Sequence, residues 1–224
     1  MNQPKIRIQE YAYDLPDERI AKYPLSKRDN SKLLIYNKGI ISQEKFTSIP
    51  SFIPEGSLMI FNNTKVVPAR LFFKKETGAL IEIFCLEPSN PSDYAVSFSC
   101  VEECAWKTII GNVKKWKGGF LSFYLPEDAN EELRNLDLRA ELIEKQDNSY
   151  IVRFFWKGGH PFSKVLEMCG QVPIPPYLNR ETEAIDLERY QTLYAKFRGS
   201  VAAPTAGLHF TEDVLGKIRA KGVD

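Results

Sequence analysis

The sequence predicts an α/β fold of mixed α+β character, a main domain into which a small antiparallel β-barrel or sandwich is inserted. Two observations carry that reading. Between Leu71 and Arg153 the pattern turns to short apolar runs split by turn residues, and helical patterns resume only beyond it. With 224 residues, 43% of them apolar and 14 of them Phe, the chain can bury a core in a composite domain or in two small ones. The expected division is residues 1–70 as the first part of the main domain, 71–153 as the barrel, and 154–224 as an incomplete second part.

Each element follows in turn. YDLPDERIAKYP reads as a short helix closed by Pro24. KLLIYNKGIISQEKF reads as a hairpin turning at Asn37, Lys38 and Gly39. SLMIF is a strand that runs into the polar triplet Asn62, Asn63 and Thr64. Two readings stand for that triplet: a functional loop, or a turn in which Asn side chains bond their own backbone. LFFKKETGALIEIFCLE is a hairpin with Glu-Thr-Gly at its tip. TIIGNVKKWKGGFLSFYLP and LRAELIEKQDNSYIVRFFW repeat the strand–turn–strand pattern. PFSKVLEMCG is a helix stopped by Gly170, and the prolines of QVPIPPY enforce an extended run. DLERYQTLYAKF reads as a helix capped by Asp186. FTEDVLGKIRAKG is another, with Thr211 as N-cap, acids in its first turn, bases in its last, and Gly222 as its stop.

Composition limits the function. A formal net charge of +1 means that any nucleic-acid partner must be met by a local patch. Cys85, Cys100, Cys104 and Cys169 form no CxxC pair, so structural or incidental thiols are expected and no metal site. No GxGxxG, P-loop or HExxH string occurs. The N-terminus lacks an apolar signal core and no window is long enough to span a membrane, so a soluble cytoplasmic protein is expected, with no membrane partner.

The stretch GSVAAPTAGLHFT strips away side-chain bulk just before His209. A loop running into a helix N-terminus lets a ligand approach the main chain, with a titratable imidazole beside it. Tight packing with His209 as a core residue is the other reading. In the preceding segment, Asp186, Tyr190, Leu193, Tyr194 and Phe197 share one helical face, with Gln191 and Arg198 beside it. An acid and two phenols on an apolar face need partners, so these residues suggest a ligand pocket. Residues 105–125 hold four lysines, two tryptophans and no acid. That suits RNA phosphates and bases, and equally a lysine-protected hairpin edge. The near-repeat of WKGG at Trp116 and Trp156 is read as coincidence.

RDNSKLLIY, LMIFNNTKVVPARL, QVPIPPYLNR, DLERYQTLYA and GSVAAPTAGLHFT, in this order, closely resemble the S-adenosylmethionine:tRNA ribosyltransferase-isomerase family of queuosine biosynthesis. The likeness runs from YDLP to the last helix. It implies S-adenosylmethionine as co-substrate, no permanently bound cofactor and no metal. The implied partner is tRNA carrying 7-aminomethyl-7-deazaguanine at the wobble position. The implied reaction transfers and isomerises the ribosyl group to give epoxyqueuosine, releasing adenine and methionine.

On that resemblance His209 is the expected proton-transfer residue, with Asp186 as second choice. Tyr190, Tyr194, Asn62 and Asn63 are candidates for the two bases, with Thr64 and Gln191 alongside. Ser200, Thr205, Ala206 and Gly207 would hold ribose or methionine, and Arg70 and Arg198 a carboxylate or phosphate. Lys114, Lys115, Trp116 and Lys117 would bind RNA. Members of the family continue past the KG that ends the last helix, whereas this chain ends at KGVD. A C-terminally truncated member is therefore expected, as a short paralogue or a truncated gene product. The alternative function is a non-catalytic fragment or paralogue that binds tRNA or S-adenosylmethionine without turnover.

Overall fold

Tight turns and period-two alternation build most of the molecule, whose computed structural model describes residues 6–224 apart from the side chains at 176, 198 and 199. Strand β1 (Lys32–Asn37) turns through Lys38 and Gly39, with φ of 47° and 90°, into its antiparallel partner β2 (Ile40–Lys45). Positive φ at both loop positions matches the twist of a two-residue hairpin. Upstream, the expected helix in YDLPDERIAKYP is a single 3-10 turn at Asp17–Arg19. None of its residues is buried, and so short a helix is not stable without a packed face.

Beyond helix α1 (Ile49–Phe52), SLMIF is extended but belongs to no sheet. Among the described residues its backbone partner is Asp224, whose N–H donates to Ser57 O and whose carbonyl accepts Met59 N–H. The alternation survives without a ladder. Met59 and Phe61 pack inward beside Phe210 and Val214, while Leu58 and Ile60 stand 74% and 89% exposed. The first sheet strand of this region is β3 (Thr64–Val66).

The barrel strands are β4 (Arg70–Lys74), β5 (Leu80–Asn90), β6 (Glu103–Gly111), β7 (Phe120–Phe123), β8 (Arg139–Lys145) and β9 (Tyr150–Phe155). They close in the order β4-β5-β6-β9-β8-β7, antiparallel throughout. Helix α2 (Tyr94–Ser99) links β5 to β6, and α3 (Glu131–Asn135) links β7 to β8. Leu71, Phe73, Ile81, Ile83, Trp106 and Phe154 fill the interior with no exposed surface. Each such side chain contributes roughly 1.5–3 kcal/mol of burial.

The expected hairpin from TIIG to FLSF is absent. β6 pairs with β5 and β9, and β7 with β4 and β8, so residues 112–119 cross one end of the barrel. Trp116 plugs that end. It is 2% exposed, and its indole N–H donates to Gly119 O at 3.1 Å.

Helix α4 (Phe162–Cys169) closes the opposite end, with Phe162 packed on Trp106, Phe154 and Trp156 at 5.2–5.6 Å between ring centroids. Gly170 follows because a Cβ there would lie 1.8 Å from Pro68 O. Gln171 then exchanges both backbone hydrogen bonds with Arg70, the first barrel residue.

The helix expected over DLERYQTLYAKF is replaced. Helix α5 (Asp186–Arg189) is one turn, a loop follows, and β10 (Phe197–Ser200) lies parallel to β3. Two side chains compete with the helix. Asp186 accepts both terminal nitrogens of Arg180, each at 2.8 Å, and reaches back to the Glu183 N–H. Gln191 mimics a strand residue, accepting Val66 N–H at 3.0 Å and donating to Val66 O at 2.8 Å. A 3-10 turn at Thr205–His209 leads into α6 (Glu212–Ala220), where the Thr211 hydroxyl caps the Val214 N–H as expected. Val214, Leu215 and Ile218 bury the inner face of α6 against Phe46 and Phe210. The fold is thus mixed α+β with an inserted closed antiparallel barrel.

Candidate functional site

A cleft of about 240 Å³ opens where residues 21–31, the 3-10 turn at Pro176–Leu178, the end of α5 and the Thr205–His209 turn converge. Its wall includes His209, Ser31, Arg28, Arg189 and the phenols Tyr23, Tyr177 and Tyr190. Arg28 and Arg189 line it, whereas Lys22 is paired with Asp17 at 2.6 Å, so two guanidinium groups are what the cleft offers an anion between its aromatic faces. Its volume is below the roughly 300–1,000 Å³ of clefts that enclose whole ligands of drug size. A shallower depression of about 830 Å³ adjoins it and shares Arg28 and Arg189.

The imidazole is fixed. Its Nδ1 lies 2.9 Å from Ser31 Oγ, and its ring tilts on Phe46 at 5.4 Å. Ser31 has one hydroxyl proton, and it points to Arg28 O at 3.1 Å. With that proton on Arg28 O, the serine lone pair is placed to accept Nδ1–H, the tautomer that leaves a lone pair on Nε2. Among the described residues nothing bonds to Nε2. This histidine is held in orientation with one nitrogen left to exchange a proton with a ligand.

The other candidates divide. Tyr190 and Thr205 line the cleft with His209. Burial and the nearby Asp186 carboxylate push the Tyr190 phenol pKa up, so it stays protonated as a donor. Tyr194 faces elsewhere, its ring tilted against Phe61 at 4.7 Å between centroids and its hydroxyl against Gly207. Gly207 is buried there, while Ala206 is exposed. Asp186 is wholly buried, and the Arg180 guanidinium holds its carboxyl below the ordinary carboxylate range. Its oxygens are occupied, which fits positioning of the 180–186 loop and not proton transfer. Gln191 ties that segment to β3, and its own carbonyl accepts from Arg28.

Asn62 accepts both the Thr64 N–H and the Thr64 hydroxyl, which is the turn reading of the polar triplet. The Asn63 carbonyl accepts Lys196 and Phe197 N–H. Arg70 pairs with Glu82 at 2.6 Å on the barrel, away from the cleft. Ser200 bonds Ala202 through its hydroxyl. Arg198 sits on β10, and its side chain falls outside the described residues. Lys114, Lys115 and Lys117 are exposed on the barrel, but Trp116 is core and offers no ring face to a base. Tyr23, Arg28, Ser31, Tyr177 and Arg189 were not singled out by spacing, although all but Tyr23 lie within the motif strings.

A larger depression of about 700 Å³ lies on the barrel beside Phe120, Phe155 and Trp156. Its Asp137 is bound by Lys157 and Arg139, which hold its carboxyl below the ordinary range, and none of the expected catalytic or base-binding residues lines it. Among the described residues no helix is long and apolar enough to cross a membrane.

A family model described as queuosine biosynthesis protein matches residues 8–224. S-adenosylmethionine:tRNA ribosyltransferase-isomerase of Trichlorobacter lovleyi is 39% identical over 218 residues, covering 96% of this chain and 57% of that protein. The Aquifex aeolicus protein of the same name is 37% identical over 222 residues, covering 98% and 59%. A solved structure of S-adenosylmethionine tRNA ribosyltransferase from Thermotoga maritima is 25% identical with a TM-score of 0.33, covering 96% of this chain and 55% of that one. The chain spans 57–59% of the length of these two curated relatives.

Proposed function

The chain belongs to the queuosine biosynthesis protein family, and from that premise we propose that the His209 cleft is the site of an S-adenosylmethionine-dependent tRNA ribosyltransferase-isomerase. The proposed reaction moves and isomerises the ribosyl group onto 7-aminomethyl-7-deazaguanine at the tRNA wobble position, in the cytoplasm. Epoxyqueuosine forms, and adenine and methionine leave.

The orientation of His209 is the observation that supports this reading most directly. The sulfonium of the co-substrate acidifies the ribose 5′-carbon, and a base must take that proton before the sugar can rearrange and expel adenine. With Nδ1–H bonded to Ser31, the Nε2 lone pair is the acceptor, and the resulting imidazolium can return a proton to a leaving group. Tyr190, Tyr23 and Tyr177 supply faces on which a purine stacks. Arg28 and Arg189 supply cations for the methionine carboxylate or a phosphate.

The test is adenine release from S-adenosylmethionine and tRNA bearing 7-aminomethyl-7-deazaguanine. Release only with the modified tRNA, lowered roughly 10²–10⁴-fold by His209→Ala, is expected. No adenine from a folded chain would overturn catalysis by these residues alone. It would favour the second reading, binding of tRNA or S-adenosylmethionine without turnover.

A further inference from the structure

We propose that the end of the barrel remote from the chain's entry and exit is a docking surface for RNA phosphates; this rests on the reading of tRNA as substrate. The topology gathers three connections at that end: residues 74–80 between β4 and β5, 111–120 between β6 and β7, and 144–150 between β8 and β9. Asn112 reaches across to Leu80 O, joining the first two. They bring together Lys74, Lys75, Lys114, Lys115, Lys117 and Lys145 against three acids.

The opposite end reverses the sign. Its connections at 91–102 and 124–138 carry seven acids and one arginine. The barrel is therefore polarised along its axis, and a polyanion approaching it is drawn to one end and repelled from the other. In a chain of net charge +1 this local field is the relevant one.

Two ordinary explanations of the lysines fail. Edge protection does not account for the loop lysines, because Lys114, Lys115 and Lys117 cross the end of a closed barrel; Lys145 alone stands on a free edge, where β8 runs past β7 from Leu142 onward. They are not half of an ion-pair network. Among the described residues none of the six is in a salt bridge, whereas Lys107 pairs with Glu87 and Lys157 with Asp137. Five of the six are exposed, and Lys75 is half-buried. The buried Trp116 makes this a phosphate surface without a stacking platform, suited to a structured RNA backbone more than to splayed bases.

The test is the salt dependence of binding of unmodified tRNA to the chain and to a Lys114→Gln/Lys115→Gln/Lys117→Gln/Lys145→Gln variant. Each phosphate contact contributes roughly 0.7–0.9 to the slope of log affinity against log salt. If all four lysines make contacts, the parent should lose roughly 50- to 150-fold more affinity than the variant between about 50 and 200 mM salt. A Lys107→Gln/Lys157→Gln control should keep the parent slope. An unchanged slope in the folded quadruple variant would overturn the docking surface and leave the tRNA reading intact. No binding of tRNA by the parent would overturn both. Independently of any variant, bound tRNA should shield these lysines of the parent from acetylation, and equal labelling with and without tRNA would also overturn the docking surface.

Discussion

Replacing Gly207 with alanine would place a methyl carbon 2.3 Å from the Tyr194 hydroxyl oxygen, 3.0 Å from Thr192 Cγ2 and 3.4 Å from Tyr194 Cζ. The first separation is more than 1 Å inside van der Waals contact, so the phenol or the loop must move. Tyr194 cannot simply swing away, because its ring is tilted against Phe61, which in turn meets Phe210 edge-on at 5.2 Å. Overpacking of this kind costs about 1–3 kcal/mol. At about 2–4 °C per kcal/mol for a chain of this size, the Tm should fall by roughly 2–12 °C. Tyr194→Phe deletes the clashing oxygen and leaves contacts of 3.0 and 3.4 Å that small shifts absorb. The double variant should therefore recover most of the loss seen in Gly207→Ala relative to Tyr194→Phe alone. Thermal unfolding of the four proteins measures this. Additive effects, with no recovery, would refute packing of Gly207 on the phenol as the reason for glycine, and with it the account of how the His209 loop is seated.

Two further outcomes follow from the same geometry. Arg180→Met strands a wholly buried carboxylate and should cost about 3–5 kcal/mol near neutral pH. Because Arg180 lowers the Asp186 pKa, the pair's contribution is in place above the unfolded value of about 3.9 and is lost as pH falls through the folded one, so the gap in urea midpoint between parent and variant should narrow below about pH 4; a gap independent of pH would exclude the ion pair as its source. Ser31→Ala removes the acceptor that fixes Nδ1–H and should slow adenine release about tenfold, with a displaced pH profile and unchanged tRNA affinity, while Ser31→Thr keeps the rate; equal pH profiles for alanine and serine would deny the hydroxyl a role in orienting the ring.

Local pattern was enough wherever structure is made by near neighbours. Lys38-Gly39 announced its hairpin, Thr211 its cap, Gly170 its stop, and the barrel its alternating strands. What stayed hidden depends on distant partners. β10 exists because Phe197–Ser200 finds β3, more than a hundred residues earlier, and no periodicity within DLERYQTLYAKF reports that. SLMIF has the alternation of a strand, but a strand also needs a ladder, which a single-segment pattern does not reveal. The lysine-rich stretch was visible, but not that β6 and β7 lie on opposite sides of a closed barrel with Trp116 between them. In the cleft, His209 and Tyr190 were legible as chemistry-bearing types in an unusual setting. Ser31, Arg28 and Tyr177 were not, since nothing in a lone serine, arginine or tyrosine says which ring it will meet.

The placement of β4 and β9 has a mechanical consequence. In a ring of six strands they lie three positions apart in either direction, so the chain enters and leaves the barrel on diametrically opposed sides. A body held by one strap can swivel, whereas one carried on two opposed legs resists twisting about its own axis. Here the first leg is pinned further where Arg70 meets Gln171, and the second where Trp156 N–H donates to Glu102 O. A torque on the far end of the barrel is thus shared between β4 and β9 and cannot be relieved by rotation about a single connection.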